Sequence, residues 1–193
     1  GDVKIAKIKP DAHVRDYERK TGRKTMTVRK GYEMSSNYIF QRLVKDNYAS
    51  EPKKLIDNLY RYRFGEAFDF DLQGLATPVL PSPDSEHWTM TDLASVAIGY
   101  AVAETPLHIL TFFNAIANKG RMMRPYIVES VEKDGRIVKK KGPSVLNGAV
   151  CSREVADSLT SGLLSITSEG TASRLKDAKL RVAGKTGTAW VYM

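Results

Sequence analysis

Two short segments carry residue types that could act together on a substrate: Ser35-Ser36-Asn37 and Lys185-Thr186-Gly187-Thr188. In the second, Lys185 supplies a fixed positive charge. The hydroxyls of Thr186 and Thr188 can bind a carboxylate. Gly187 has no Cβ, so the backbone of a substrate can lie close to it. The N–H of Thr188 can donate to a developing oxyanion. In the first segment, the Ser35 hydroxyl can pass a proton between neighbouring amines. Asn37 can orient an amide and a lysine, having a donor and an acceptor on one side chain. Each segment also has a plain structural reading, a surface turn for the lysine segment and a helix N-cap for the serines and asparagine.

Other chemistries find less support. Gly184-Lys185-Thr186 ends like a phosphate-binding loop, but that loop needs glycine at position 179, where Lys179 stands. His13, His87 and His108 show no metal-ligand spacing, and no Cys or carboxylate pattern joins them. His108 reads as an ordinary face or core residue of a helix. The single cysteine, Cys151, permits no internal disulfide and reads as a small, partly buried packing residue. No metal or organic cofactor is expected.

The chain has 193 residues, 42% of them hydrophobic, enough for one domain or most of one. No apolar run reaches the 18 residues of a membrane span, and no signal peptide is visible at Gly1. The first residue is not Met, so an excised or processed piece is expected. The net charge of +8 is unevenly placed. Residues 1–63 hold 16 of the 30 Lys and Arg but 8 of the 22 acids, so the excess is N-terminal. Without a recognisable nucleic-acid module, such runs read as solvated faces, and no nucleic-acid partner is expected.

Several elements are needed to hold the two segments. Val3 to Lys9 alternates as a half-exposed strand does, and Pro10 ends it. Lys20-Thr21-Gly22-Arg23 reads as a turn. Ser35, Ser36 and Asn37 offer caps for a helix from Tyr38 to Tyr48. Ser50 and Pro52 begin a second helix, with Leu55, Ile56, Leu59 and Tyr62 at helical spacing and Gly65 closing it. Residues 66–88, with Gly74, Pro78, Pro81 and Pro83, read as a long irregular excursion, a length usually tied to function.

Thr91 and Asp92 begin a short helix through Val96, interrupted at Gly99. Thr105-Pro106 starts another that Gly120 ends, with Leu107, Leu110, Phe113 and Ala117 predicted on its inner face. Tyr126–Val131 and Arg136–Lys139 are predicted strands joined at Asp134-Gly135, a hairpin signal. Ser152 caps a further helix with Val155, Leu159, Leu163 and Ile166 inside. Leu180–Ala183 is predicted as a strand leading into Lys185-Thr186-Gly187. Helices mixed with antiparallel strands, without βαβ regularity, give an α+β class.

Several motifs in order resemble the transpeptidase domain of class B penicillin-binding proteins. Tyr32-Glu33-Met34-Ser35-Ser36-Asn37 resembles the passage through the family's Ser-x-Asn. Phe64-Gly65 with Asp69 and Asp71 resembles its Phe-Gly-x-Gly-x-x-x-Gly-x-Asp, with Glu66, Ala67 and Phe68 departing. Ile98-Gly99-Tyr100 with Thr105-Pro106-Leu107, then Ala115-Ile116-Ala117-Asn118-Lys119-Gly120, follow in the family's order. Glu169-Gly170-Thr171-Ala172 and Val182-Ala183-Gly184 before Lys185-Thr186-Gly187-Thr188 complete it. The resemblance is strongest over residues 25–189 and treats 1–193 as one partial transpeptidase domain.

The resemblance implies the penicillin-binding (serine β-lactamase-like) fold, an antiparallel sheet with helices on its faces, incomplete in this chain. It implies a D,D-transpeptidase that cross-links peptidoglycan stem peptides through a serine acyl-enzyme. The partners implied are stem peptides, β-lactams and other cell-wall synthesis proteins. The parent protein is placed outside the cytoplasmic membrane, tethered by an N-terminal helix absent here. Carried over by motif, Ser35, Asn37 and Lys185 are catalytic, and Thr186, Gly187 and Thr188 bind substrate. The family's nucleophilic Ser-x-x-Lys stands upstream of Ser-x-Asn, and residues 1–34 contain no serine. Ser50-Glu51-Pro52-Lys53 and Ser173-Arg174-Leu175-Lys176 match the spacing but not the motif order. This chain alone is therefore expected to be inactive, with Ser-x-x-Lys some 50 to 60 residues before Ser35 in an active parent. The alternative is a non-catalytic transpeptidase-like binding or scaffold module.

Overall fold

The computed structural model describes residues 12–22 and 26–187. The expected strand Val3–Lys9 and the side chain of Thr188 lie outside them. Along the chain come α1 (Ala12–Thr21), α2 (Val28–Glu33), α3 (Asn37–Tyr48), α4 (Pro52–Arg61), α5 (Met90–Val96) and α6 (Pro106–Ala117). Then follow β1 (Met122–Met123), β2 (Ser130–Lys133), β3 (Arg136–Lys140), β4 (Val145–Asn147), α7 (Arg153–Ser168) and a 3₁₀ turn (Ser173–Leu175). The class is α+β as expected, with two small antiparallel sheets, β1–β4 and β2–β3.

The residues fall into two compact units. The first takes the chain up to Asp57, Pro81–Val102 and the chain from Ser158 onward. The second takes Asn58–Leu80 and Ala103–Asp157.

In the first unit, helix ends are set by side-chain caps. Thr27 accepts from the N–H of Lys30, and Ser36 accepts from the N–H of Ile39 at 3.3 Å. Thr89 and Asp92 form a reciprocal capping box at the start of α5. Glycines allow the helices to close on one another. A Cβ at Gly31 would stand 2.5 Å from Ile39, and one at Gly162 would stand 2.8 Å from the Tyr32 ring. The inner row of α7 in this unit is Gly162, Leu163, Ile166 and Thr167.

The second unit is built on Ala115, Met122 and Val150, with Tyr62, Phe112, Leu146 and Cys151 packed around them. Burial raises the Cys151 thiol pKa, in keeping with a packing residue. The irregular residues after α4 are tied down by polar contacts. The Asp71 carboxylate accepts from the N–H groups of Ile127 and Val128, at 2.8 and 2.9 Å, and from Lys141. His108, 2% exposed, stacks on Phe68 and bonds the Glu66 carbonyl oxygen at 2.7 Å. Asp134 and Gly135, with φ of 52° and 70°, make the tight turn of the β2–β3 hairpin.

Four expectations need correction. The inner row of α6 is His108, Thr111, Ala115 and Ile116; Leu110 is 57% exposed and Ala117 is exposed. Both rows have helical spacing. The packed row wins because the His108 ring finds partners for both nitrogens, in Thr105 and the Glu66 carbonyl. Val155 is 48% exposed, and Ala156 takes the buried position expected for it on α7. The first hairpin strand starts at Ser130, not Tyr126, because the N–H groups of Ile127 and Val128 serve Asp71. Finally, residues 181–187 form no strand. Their backbone is held by α7 instead: the Gly184 N–H donates to the Leu163 carbonyl at 3.3 Å, and Thr167 Oγ1 donates to the Val182 carbonyl at 2.5 Å.

Candidate active site

The tight connection between α2 and α3 fixes Ser35. Met34 closes α2, its N–H donating to Lys30, and the N–H of Ser36 returns to the Gly31 carbonyl at 2.9 Å. That path forces Ser35 into the left-handed region, with φ of 54°. Non-glycine residues adopt it at a cost of order 1 kcal/mol, often where function requires it. The next residue, Ser36, is fully buried and takes the N-cap role. Asn37, expected as a possible cap, is instead the first residue of α3 and is exposed. The cap thus falls to Ser36, while Ser35 is half-buried and Asn37 is exposed at the helix start.

Lys185 arrives from 150 positions along the chain and donates to Ser35 Oγ. It also donates to the Thr186 carbonyl at 3.0 Å, and its Nζ stands 5.9 Å from the centroid of the Phe40 ring. The ring face favours the cation. Burial opposes it and lowers the Lys185 pKa. Because Ser35 Oγ accepts from Lys185, its own hydrogen is directed elsewhere. The pair can therefore relay a proton from the amine, through the hydroxyl, to a third group.

Thr186 Oγ1 shares a hydrogen bond with Thr171 Oγ1 at 2.7 Å. Thr171 is held in turn by its N–H on the Glu33 carbonyl at 3.4 Å. A Cβ at Gly170 would stand 2.5 Å from that carbonyl oxygen, so only glycine lets the two segments meet. The Glu33 carboxylate is buried against Arg29 and Lys30, at 3.2 and 3.3 Å, and Arg29 also reaches Ser165 at 2.8 Å. At Gly187 the opposite holds. Nothing lies within 4 Å of a Cβ placed there, and its φ is not in the left-handed region. Neither internal packing nor backbone conformation calls for glycine at that position.

The structure thus brings together Ser35, Lys185 and Thr186, with Asn37 and Gly187 in the adjoining segments. Ser50 and Ser173 are exposed, and Lys53 is paired with Asp84 at 2.8 Å. Phe40 and Thr171 are site residues that the sequence reading did not single out. Phe40 sits one helical turn beyond Asn37, and Thr171 lies in Glu169-Gly170-Thr171, where a motif was visible but no role was. Among the described residues no cluster of three His, Cys, Asp or Glu could hold a metal, and no helix is long and apolar enough to cross a membrane.

A helical unit that brings Ser-x-Asn to a Lys-Thr-Gly segment fits the transpeptidase domain of the penicillin-binding class. The chain belongs to this family: the penicillin binding protein transpeptidase domain matches residues 2–193. Stage V sporulation protein D of Bacillus subtilis is 32% identical over 141 residues, 71% of this chain and 21% of that protein. Penicillin-binding protein PbpB of Mycolicibacterium smegmatis is 26% identical over 146 residues, 72% of this chain and 22% of that protein. The D,D-transpeptidase domain of a peptidoglycan glycosyltransferase from Eggerthella lenta superposes with a TM-score of 0.76 at 27% identity, over 86% of this chain and 42% of that one. Penicillin-binding protein 2B of Streptococcus pneumoniae, at 23% identity and a TM-score of 0.72, shares the fold over 86% of this chain and 30% of that one. The chain therefore spans about a fifth of the length of these curated relatives.

Proposed function

We propose that this chain is part of a serine-type D,D-transpeptidase that cross-links peptidoglycan stem peptides and is acylated by β-lactams. The observation that carries the reading is the hydrogen bond from Lys185 to Ser35. It joins two motifs 150 positions apart whose separate plain readings give no reason to meet. Ser35 passes a proton toward the leaving amine of the donor peptide. Lys185 supplies that path and positive charge. Asn37, exposed at the start of α3, holds the donor amide and the lysine of the nucleophile motif. Thr186, oriented by Thr171, and Thr188 bind the donor carboxylate, while the open side of Gly187 admits the peptide backbone.

The nucleophile belongs to a Ser-x-x-Lys outside these residues, in a longer protein acting outside the cytoplasmic membrane and anchored in it. Stem peptides, β-lactams and other cell-wall synthesis proteins are its partners. The test is covalent labelling with a fluorescent penicillin. The complete protein is expected to give an adduct that survives denaturation, and the 193-residue chain none. An adduct on Ser50 or Ser173 of the chain would overturn the assignment of the nucleophile. A complete protein that never labels would favour the non-catalytic module.

A further inference from the structure

A lysine ammonium has three N–H donors and no acceptor. For Lys185, two oxygens receive them: Ser35 Oγ and, at 3.0 Å, the Thr186 carbonyl. Among the described residues Lys185 has no ion-pair partner and no third oxygen. Its remaining polar contact is with a ring: Nζ stands over Phe40, 5.9 Å from the centroid. That distance is within the range of a cation–π interaction. The face of an aromatic ring is the negative part of its quadrupole, so it attracts the ammonium far more than the neutral amine. The ring thus stands where a third acceptor would.

Phe40 is itself held in place. Tyr32 of α2 packs against it nearly at right angles, with ring centroids 6.2 Å apart. Tyr32 lies in turn against Gly162 of α7, where a Cβ would stand 2.8 Å from the Tyr32 ring. Phe40 follows Asn37 by about one turn of α3, so the helix that starts at Ser-x-Asn also carries the ring that meets Lys185. The direct contacts Ser35, Phe40 and the Thr186 carbonyl carry no charge. On α2, the Glu33 carboxylate is paired with Arg29 and Lys30, and burial keeps Tyr32 neutral to higher pH. Burial is the only cause of the lowered Lys185 pKa, so no charged side chain of α2, α3 or α7 among the described residues shifts it.

We propose that Phe40 is a positioning residue for Lys185: its ring face holds the ammonium beside Ser35 and keeps it charged in a half-buried setting. Leucine would fill much of the same space without that attraction, and tyrosine would keep it. With no carboxylate acting on Lys185, the ring is what opposes the loss of its proton. The bearing of Phe40 on catalysis rests on the acyl-transfer reading, whereas its contact with Lys185 does not.

The test follows the side-chain NMR resonances of Lys185 in the full chain as pH is raised, with Lys185→Arg used to identify the signal. Phe40→Leu is expected to move the Lys185 pKa down by about half a pH unit or more, the effect of one cation–π contact. Phe40→Tyr should keep the wild-type value, with thermal unfolding used to verify that both variants are folded. An unchanged Lys185 pKa in folded Phe40→Leu, or an equal drop in Phe40→Tyr, would overturn the proposal. In the complete protein, the alkaline limb of β-lactam acylation should move down with Phe40→Leu and not with Phe40→Tyr. A limb that stays in place while the Lys185 pKa moves would uphold the contact and remove Lys185 from acyl transfer.

Discussion

Lys185 donates to the hydroxyl of Ser35, a residue that the α2–α3 connection holds in the left-handed region at φ 54°. Strain and the proposed proton path therefore fall on one residue, and a single substitution separates them. Ser35→Gly removes the hydroxyl and relieves the backbone. The melting temperature of the complete protein is expected to hold or rise, with a gain of up to about 1 kcal/mol. Acylation by a β-lactam should fall sharply. Lower stability together with unchanged acylation would return Ser35 to a structural role.

Its two neighbours are expected to behave differently. Ser36 is buried and caps α3, so Ser36→Ala should cost about 1 kcal/mol in thermal or denaturant unfolding. Asn37 is not the cap, so Asn37→Ser should leave stability nearly unchanged. Serine lacks the amide's paired donor and acceptor, however, and acylation should drop. An Asn37→Ser protein that acylates at the wild-type rate would remove Asn37 from the site.

The glycines divide in the same way. Gly31→Ala drives a Cβ to 2.5 Å from Ile39, and Gly170→Ala drives one to 2.5 Å from the Glu33 carbonyl. Each is expected to cost roughly 1–3 kcal/mol by overpacking. Gly187→Ala meets nothing within 4 Å. It should change stability by no more than about 0.5 kcal/mol. Its effect should appear in acylation, where a methyl group blocks the approach of the peptide backbone. Denaturant midpoints and acylation rates for the three variants check the pattern.

Burial lowers the Lys185 pKa below the usual lysine value of 10.5. The unfolded chain therefore holds more protons than the folded one between those two values. Stability contributed by this group rises with pH across that window, and the cost of burying the charge is fully present below it. Activity should move the other way. Acylation that needs the cation falls as pH rises through the lowered pKa. Lys185→Arg should displace that alkaline limb upward, because arginine stays charged. An unmoved limb would assign it to another group.

Much of the site was legible in the sequence because its parts are local motifs. Ser35-Ser36-Asn37 marks a helix start by capping chemistry alone, and α3 begins at Asn37, one residue before the expected position. Thr105-Pro106 and Asp134-Gly135 likewise fix backbone angles locally, and the start of the helix and the turn of the hairpin appear at those residues. What failed depended on distant partners. The inner face of α6 was misread because two rows share helical spacing, and only the contacts of His108 with Glu66 and Phe68 decide between them. Leu180–Ala183, expected as a strand leading into Lys185-Thr186-Gly187, forms none. The backbone of Val182 and Gly184 is held instead by Thr167 and Leu163 of α7, a contact no local pattern announces. Thr171 was visible as a motif, but its role required the fold to bring it to Thr186.

The central claim is that Lys185 and Ser35 act as one unit in acyl transfer. The most direct measurement is the second-order rate constant for acylation of the complete protein by a fluorescent penicillin, comparing wild type with Lys185→Ala. The account predicts a fall of roughly 10²-fold or more, since a positioned charge in a partly dry site is worth several kcal/mol, with little change in melting temperature. An unchanged rate constant in a folded Lys185→Ala protein would contradict it.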